Sequence, residues 1–414
     1  MTGRDRTVAT ALLAAGSLIG ACGDARDPDA SVIRRDSAGI AIVETPVALW
    51  ADDAQWTVDP EPVLSIGLTE GDENYLFGEI AGIVRLDDGT IVVADGQARL
   101  IRYYDAQGVF IRQVGGQGGG PTEFDYLAAL WHCGPNLVYG HDLSARRVKV
   151  WDGEGTFQRD FPLLEPGQEA RGPYRTACSS SGDFLVAGWG DFSGLSDRRS
   201  RFYAQSAPIW LLDIDAQPLL ELGEYVISER ALLFNEQTGA GGSSPHPFGR
   251  SASFAITDSV IYLGTAERLD VQVYDRSGRL VRSMRGPAVD LSIDQALVDR
   301  YASDVPDADA RYFARIMEAG LELPDGYAAY TDFRVDSDGN LWVQRFGFPW
   351  EASSRWGVFS EDGAFLGHVE MPASLTVHQI GADWVIGVAT DELDVERVRL
   401  YRLDRGPAGG SGGS

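Results

Sequence analysis

Apolar and polar positions alternate along much of the chain in a recurring strand–turn–strand pattern. In residues 271–283, Val271, Val273 and Leu280 alternate with polar neighbours, which is the period of a half-buried β-strand. Residues 275–278 read Asp-Arg-Ser-Gly, where Asp can accept hydrogen bonds from the turn's backbone and Gly tolerates a positive φ. The pattern predicts a β-hairpin, which would be only marginally stable by itself in water.

Related copies of this hairpin occur along the chain, and the last one has only its first strand. They lie at residues 101–112, 148–159, 209–220, 356–367 and 398–404. A supersecondary unit repeated at such spacing is typical of a propeller or a solenoid and not of one layered domain.

Each copy is preceded by further strand-like segments. Residues 80–86 and 90–95 stand before the first hairpin and are separated by a turn at 87–89. Four strands in about 40 residues is the size of one propeller blade. The same pattern predicts the remaining blades at residues 126–162, 174–220, 251–285, 329–369 and 375–404.

The last predicted blade lacks a fourth strand, because a Gly/Ser-rich tail at 406–414 follows almost at once. A spare apolar segment at 62–66 stands before the first blade. A propeller has to remove its open sheet edge, and pairing this segment with the last blade would do so. The sequence therefore predicts an all-β fold over residues 38–405. The predicted architecture is a six-bladed β-propeller of four-stranded antiparallel blades, closed by an N-terminal strand in the last blade.

Three segments depart from the β pattern. Residues 291–319 have helical spacing and end before Gly320, so they predict a small helical insertion, either a structural cover or a lid over the central channel. Residues 190–205 and 225–249 predict long loops that could present a surface to a protein or glycan partner. His246, in the second of these loops, is expected to be exposed.

Three motifs carry a resemblance to a known family. Residues 86–95, 115–124 and 335–343 are similar to segments of bacterial six-bladed β-propeller proteins of the NHL-like type, many of which are lipoproteins. Loops of that family usually read Gly-Pro-Gly-Glu-Phe, and here Thr122 replaces the second glycine. The resemblance implies the fold but no activity, because a fold does not determine a function.

The first 22 residues predict export. Arg4 and Arg6 precede an apolar stretch at 8–19, which is too short to span a bilayer. The segment ends Leu18-Ile-Gly-Ala-Cys22, which resembles a bacterial lipobox and implies lipidation of Cys22. An ordinary cleaved signal peptide is the alternative. The expected location is the cell envelope, on the periplasmic or surface side of the outer membrane. Residues 23–37 are then a flexible tether and 406–414 a disordered tail.

The net charge narrows the possible partners. The chain carries a formal charge of −26 at pH 7, which disfavours binding to nucleic acid and to anionic lipid. Membrane contact is expected only through the N-terminal lipid anchor, and the protein is expected to be a monomer.

The two remaining cysteines predict a disulfide. Cys133 and Cys178 each fall near the end of the inner strand of adjacent blades, and disulfides persist outside the cytoplasm. Two small buried thiols are the alternative.

The starts of the inner strands predict a ligand site at the propeller axis, where the fold offers a preformed concave surface. The candidate ligand-binding residues are Glu79, Tyr126, Tyr174, Arg175, Arg250, Asp332 and His378. The predicted function is a binding or scaffold module for a small molecule, a glycan or a protein, with no cofactor expected.

An enzymatic alternative remains open. Only Glu79 and Asp332 suit calcium, so a calcium-dependent hydrolase similar to lactonase propellers, or a lyase acting at the central channel, is the second hypothesis. The five histidines lack the spacing of a zinc site. The sequence has no Gly-x-Ser-x-Gly nucleophile elbow, since the match at 409–413 lies in the Gly/Ser-rich tail and not between a strand and a helix. No catalytic residue is assigned.

Overall fold

The structure is a computed structural model that describes residues 31–51, 55–168, 171–190, 199–235, 237–391 and 393–406. The signal segment, the lipobox with Cys22, the first part of the predicted tether and the tail from residue 407 lie outside the described residues. No helix in the described part of the chain is long and apolar enough to cross a membrane.

The described residues are mostly β-structure, as the alternating pattern predicts. The first half of the chain contains β1 (Ile33–Ser37), β2 (Ile40–Glu44), β3 (Thr57–Val58), β4 (Leu64–Ile66), β5 (Ile80–Arg85), β6 (Ile91–Asp95), β7 (Leu100–Tyr104), β8 (Phe110–Gly115), β9 (Leu127–Trp131), β10 (Leu137–Asp142), β11 (Arg147–Asp152), β12 (Phe157–Pro162), β13 (Arg175–Cys178), β14 (Phe184–Ala187) and β15 (Arg201–Leu212).

The second half contains the longest strand and the two α-helices. Its elements are β16 (Pro218–Phe234), β17 (Gly241–Pro245), β18 (Ser253–Ile256), β19 (Val260–Gly264), β20 (Asp270–Asp275), β21 (Leu280–Arg285), α1 (Gln295–Asp304), α2 (Asp307–Glu318), β22 (Tyr330–Val335), β23 (Leu341–Arg345), β24 (Ser353–Phe359), β25 (Phe365–Pro372), β26 (Leu375–Ile380), β27 (Trp384–Thr390) and β28 (Glu396–Asp404).

Within the described residues these strands form six separate sheets, numbered here in chain order. They contain β5–β8, β9–β12, β13–β17, β18–β21, β22–β25 and β26–β28. The first strand of each sheet is its inner strand, and inner strands contact each other in the order β13, β18, β22, β26, β5 and β9. This succession of sheets around their inner strands is the architecture of a β-propeller.

The recurring hairpin forms where the sequence predicts it. Residues 271–283 lie in β20 and β21, and the Asp275 carboxylate accepts hydrogen bonds from the backbone N–H groups of Ser277 and Arg279. Gly278 has a φ of +80°, a conformation that favours glycine. Asp105 and Asp152 receive the same pair of backbone hydrogen bonds in the first and second sheets.

The N-terminal segment runs along the outer edges of three sheets. Strand β1 pairs with β2, and β2 pairs in parallel with β21 of the fourth sheet. The N–H groups of Leu49 and Trp50 then donate to carbonyls of the fifth sheet. The tether predicted at 23–37 is therefore wrong in its last five residues. Their polar sequence gives no strand signal, and pairing with β2 together with an ion pair between Arg34 and Asp362 orders them.

Strand β4 adds to the sixth sheet at the position that the sequence predicts for residues 62–66. It pairs antiparallel with β28, with Ile66 opposite Val398 and Leu64 opposite Leu400. Ile66 and Val398 share one hydrophobic cluster with Ile80 of the first sheet. The segment between the N terminus and the first sheet thus packs against both the sixth and the first sheet.

The third sheet extends well beyond the size of a blade. In β15, only residues 209–212 pair with β14. Residues 201–208 of β15 continue past β14 and pair with β16, and β17 pairs with the far end of β16. We call these three strands (residues 201–208, 224–234 and 241–245) the projection. The loops predicted at 190–205 and 225–249 are therefore wrong in most of their described part, because backbone pairing turns Gly- and Ser-rich sequence into strands.

The predicted helical insertion forms two α-helices, and α2 packs against the projection. The Asp294 side chain accepts a hydrogen bond from the Leu297 N–H and caps α1, and Gly320 follows α2 with a φ of +65°. Ile316 of α2 packs against the projection, and the Tyr312 hydroxyl donates to the Ser244 and Pro245 carbonyls.

Candidate functional site

A cavity of about 420 Å³ lies between the projection and the inner strands of the third, fourth and fifth sheets. Three of the predicted site residues line it, namely Tyr174, Arg175 and Arg250. The projection and the turn after it contribute Glu229 and His246. This volume lies within the usual range of about 300–1,000 Å³ for small-molecule sites.

Arg175 is the first residue of β13 and is held at the cavity wall. Its Nη1 donates to the Ala252 carbonyl at 2.7 Å, and its guanidinium lies 5.6 Å from the centre of the Phe254 ring. Its Nη2 lies 3.9 Å from Oδ1 of Asp332. The side chain keeps 29% of its surface exposed. Arg175 is therefore anchored through one nitrogen and remains open to the cavity.

Asp332, on the inner strand of the fifth sheet, is shared between two arginines. Its Oδ2 lies 2.7 Å from Nη1 of Arg334, while its Oδ1 faces Arg175 and accepts a hydrogen bond from the Phe333 N–H. Thr331, the residue before it, lines the cavity. The charge of this carboxylate is thus compensated within the protein.

His378, on the inner strand of the sixth sheet, belongs to the same electrostatic group. Its pKa is lowered to about 4, chiefly by burial and also by the positive charge of Arg334, while the Asp332 carboxylate opposes both effects. The imidazole is therefore neutral at pH 7. The structure brings the predicted residues Arg175, Asp332 and His378 into one group through Arg334.

Arg250 and Glu229 form a two-point ion pair in the cavity wall. The Arg250 Nε lies 3.3 Å from one Glu229 carboxylate oxygen, and Nη2 lies 3.2 Å from the other. The same carboxylate accepts the Arg250 backbone N–H at 2.8 Å. This geometry fixes Arg250 and leaves the pair without net charge.

The expectation that His246 is exposed is wrong, since only 6% of its surface is accessible. Its Nδ1 accepts the Phe248 N–H at 3.0 Å, which places the ring proton on Nε2. Nε2 has no hydrogen-bond partner among the described residues. Burial lowers the pKa of His246 to about 4, so this ring is also neutral at pH 7.

His246 and Glu229 also line a second, smaller cavity of about 200 Å³. Its other walls are mainly apolar or aromatic and include Phe202, Tyr203 and Pro324, with Arg230 beside them. The two cavities thus share the wall formed by Glu229 and His246. The larger cavity is polar, and the smaller one is mainly apolar.

Glu79 and Tyr126 are not part of this group. Both side chains are exposed, and neither is among the residues that line the two cavities. Within the described residues, no group of three or more His, Cys, Asp or Glu side chains has an arrangement that could hold a metal ion. The structure therefore does not bring the two candidate calcium ligands, Glu79 and Asp332, into such a group.

The disulfide prediction is confirmed. Cys133 and Cys178 are bonded, with their Cα atoms 5.5 Å apart, and the bond joins the second and third sheets. Cys178 is the last residue of β13, the strand that begins with Arg175.

Glu229 and His246 are the site residues that sequence analysis missed. Both lie in the segment predicted as a loop. The apolar run at 231–234 is a strand signal, but the Gly/Ser-rich residues after it favoured a loop. No local pattern shows that this segment folds back over the inner strands.

Comparisons with known proteins give distant likenesses of structure only. No protein-family model matches the sequence, and no curated protein matches it. A member of the DUF4221 family from Bacteroides vulgatus has a TM-score of 0.46 and 10% identity, covering 85% of this chain and 99% of that chain. Virginiamycin B lyase from Staphylococcus aureus has a TM-score of 0.39 and 12% identity, covering 84% and 99%. The calcium-binding protein regucalcin from Agrobacterium tumefaciens has a TM-score of 0.38 and 12% identity, covering 83% and 92%. Likeness at this level says nothing of ligand or activity.

Proposed function

We propose that this protein is an extracytoplasmic β-propeller that binds a small molecule in the 420 Å³ cavity. The observation that carries the proposal is the convergence of Tyr174, Arg175 and Arg250 with Glu229 and His246 around one concave space. A concave site with a few fixed polar groups is the usual form of a small-molecule site. Arg250 and Arg175 are already held by protein contacts, so ordering them costs little on binding.

The six sheets are proposed to be the blades of one closed ring. The pairing of β4 with β28 supports this, as do the contacts between β26 and β5. A closed ring would fix the inner strands of the third to sixth sheets rigidly around the channel. Rigid elements hold a binding site more precisely than loops do.

An extracytoplasmic location is proposed from two features. The leader with its lipobox at Cys22 implies export and a lipid anchor in the cell envelope. The disulfide between Cys133 and Cys178 supports an oxidising compartment. The anchor would hold the propeller at the membrane without membrane contact by its acidic surface.

A fragment screen by ligand-observed NMR tests the binding function. Ser251 lines the cavity, so Ser251→Phe should fill it and remove the signals of fragments bound there. Ser259→Phe is the matched control, because Ser259 is exposed in the turn between β18 and β19. Both variants are checked for folding by circular dichroism and thermal unfolding.

The expected result is a set of fragments whose binding survives Ser259→Phe and is lost in Ser251→Phe. Fragments that bind both variants equally well would place binding elsewhere and overturn the proposal. A screen that yields no bound fragment would overturn it as well.

A further inference from the structure

The charges around the cavity differ in sign from the charge of the whole chain. The protein carries −26 overall. The described residues that line the cavity include two arginines, Arg175 and Arg250, but one carboxylate, Glu229. Glu229 is fully engaged by Arg250. One positive charge of the wall, on Arg175, is therefore left without a full partner.

The neighbouring charged groups do not change this balance. Asp332 reaches Arg175 only at 3.9 Å, and its closer partner is Arg334 at 2.7 Å. Asp332 and Arg334 together are neutral. His246 and His378 add no charge at pH 7, because burial lowers the pKa of each to about 4.

Arg175 also has hydrogen-bonding capacity left. Among the described residues its only short contact is from Nη1 to the Ala252 carbonyl, with Ser251 Oγ at 3.5 Å. Its Nε and Nη2 are within hydrogen-bond distance of no described acceptor, since Asp332 lies 3.9 Å away. The N–H groups of two such nitrogens can donate to one carboxylate in the planar, two-point geometry that arginine favours.

The cavity wall also has apolar surface. Tyr174 and Ile227 line the cavity that Arg175 lines, whereas Phe202, Tyr203 and Pro324 line the second cavity, on the other side of the wall of His246 and Glu229. Aromatic and aliphatic walls beside one charged anchor are typical of sites for small organic ions.

We infer that the cavity binds a small organic monoanion, with its carboxylate on Arg175 and an apolar or aromatic body against Tyr174 and Ile227. This inference rests on the proposed binding function and adds the class of ligand. The 420 Å³ cavity has one uncompensated charge in its wall, which matches a carboxylate, whereas a phosphate dianion would need a second free cation there. Arg230 lines the second cavity and donates to Ser243.

Titrations with matched acid and amide probes test the inference. The pairs are acetate and acetamide, phenylacetate and phenylacetamide, and indole-3-acetate and indole-3-acetamide, with phenyl phosphate as a dianionic probe. Affinities are measured by NMR titration at pH 7 and low ionic strength on the folded chain. In at least one aromatic pair the acid should bind about tenfold tighter than its amide, which is what one charged hydrogen-bonded contact contributes.

Two variants should change this preference in opposite directions. Arg175→Gln should abolish the preference for the acid, because the acid loses a charged hydrogen-bonded contact whereas the amide loses only a weaker neutral hydrogen bond. Asp332→Asn should strengthen binding of the acid several-fold, because it removes the carboxylate that competes for Arg175. The second variant keeps the test decisive even if the first fails to fold.

The possible failures of the two proposals can be told apart. Equal affinities for acid and amide, both lost in Ser251→Phe, would overturn the monoanion inference and keep the binding function. Tighter binding of phenyl phosphate than of phenylacetate would also overturn the monoanion inference. Probe binding that Ser251→Phe does not change would overturn the proposed function itself.

Discussion

The Arg175 guanidinium lies 3.9 Å from the Asp332 carboxylate, although these residues belong to the inner strands of the third and the fifth sheet. The fourth sheet lies between them in chain order, and Ala252, at its start, accepts the hydrogen bond that fixes Arg175. The group therefore links three consecutive sheets at one edge of the cavity. The residues that carry the proposed binding site thus also take part in holding neighbouring sheets together.

Replacing Arg175 should cost little stability. Arg175→Gln removes one charged hydrogen bond to the Ala252 carbonyl and a long, partly exposed ion pair. Exposed ion pairs contribute little, so the unfolding free energy should fall by only about 1 kcal/mol. Urea denaturation measures this loss. A loss several times larger would mean that Arg175 is mainly structural, and the binding test would then rest on Asp332→Asn.

The disulfide should contribute far more to stability. Cys133 and Cys178 are 45 positions apart, and cross-linking a loop of that length restricts the unfolded chain by about 3–4 kcal/mol. The double variant Cys133→Ser/Cys178→Ser should lose about that much in urea denaturation. Reductant should destabilise the natural chain to the same extent and leave the double variant unchanged. Equal sensitivity of the two proteins to reductant would contradict this account.

The N-terminal segment should be fixed chiefly by Trp56. Its ring centre lies 5.0 Å from that of Trp50 and 5.8 Å from that of Trp342, and the Arg405 guanidinium lies 4.3 Å from its ring centre. Trp56→Ala should lower the unfolding free energy by about 2–3 kcal/mol, since the half-buried ring loses these contacts.

Val47→Ala is the control for this prediction, because Val47 lies in the same segment and is 57% exposed. It should change stability by less than about 0.5 kcal/mol. Similar losses for the two variants, measured by urea denaturation, would show that the aromatic contacts do not fix the segment.

The local parts of the fold could be predicted from the sequence, and the long-range pairings could not. The hairpin at 271–283 follows from its own alternation and from the turn of Asp275 and Gly278. The pairing of β2 with β21 does not follow from the sequence. Strand β21 lies about 240 residues further along, and no pattern in either strand marks the pairing. Tertiary contacts decide such cases.

The candidate site was predictable to the same limited extent. Tyr174, Arg175, Arg250 and Asp332 lie at starts of inner strands, a position that the repeat defines. Glu229 and His246 reach the cavity only because β16 is 17 residues long and carries the projection over the inner strands. How far a strand extends beyond its blade depends on the element that it packs against. Here β16 packs against α2.

Calcium should not stabilise the protein through the candidate pair Glu79 and Asp332. The Asp332 carboxylate is already paired with Arg334 at 2.7 Å, so a cation would have to displace this arginine. Thermal unfolding with millimolar calcium and with magnesium as the control should give the same midpoint. A calcium-specific increase that is lost in Asp332→Asn would contradict this expectation and favour the calcium-dependent hydrolase.

Stability should fall as the pH is lowered from about 6.5 towards 4, because of the buried histidines. Burial lowers the pKa of His246 and His378 from the usual value of 6.5 to about 4. Within that range the unfolded chain binds protons that the folded protein does not, so acid favours unfolding. Above about pH 7 the rings are largely unprotonated in both states, so their contribution to the pH dependence becomes small.

His246→Asn separates this effect from the titration of carboxylates. Asparagine offers an oxygen in place of Nδ1 for the Phe248 N–H and does not ionise. The unfolding free energy of the variant, measured by urea denaturation at pH 7.5, 6, 5 and 4.5, should decline less steeply than that of the natural chain. The unfolding free energy of the variant minus that of the natural chain should be constant above pH 7 and should increase as the pH falls, to its highest value at the lowest pH. Parallel curves throughout would mean that His246 is protonated as readily in the folded protein as in the unfolded chain, and that the wall between the two cavities is open to water.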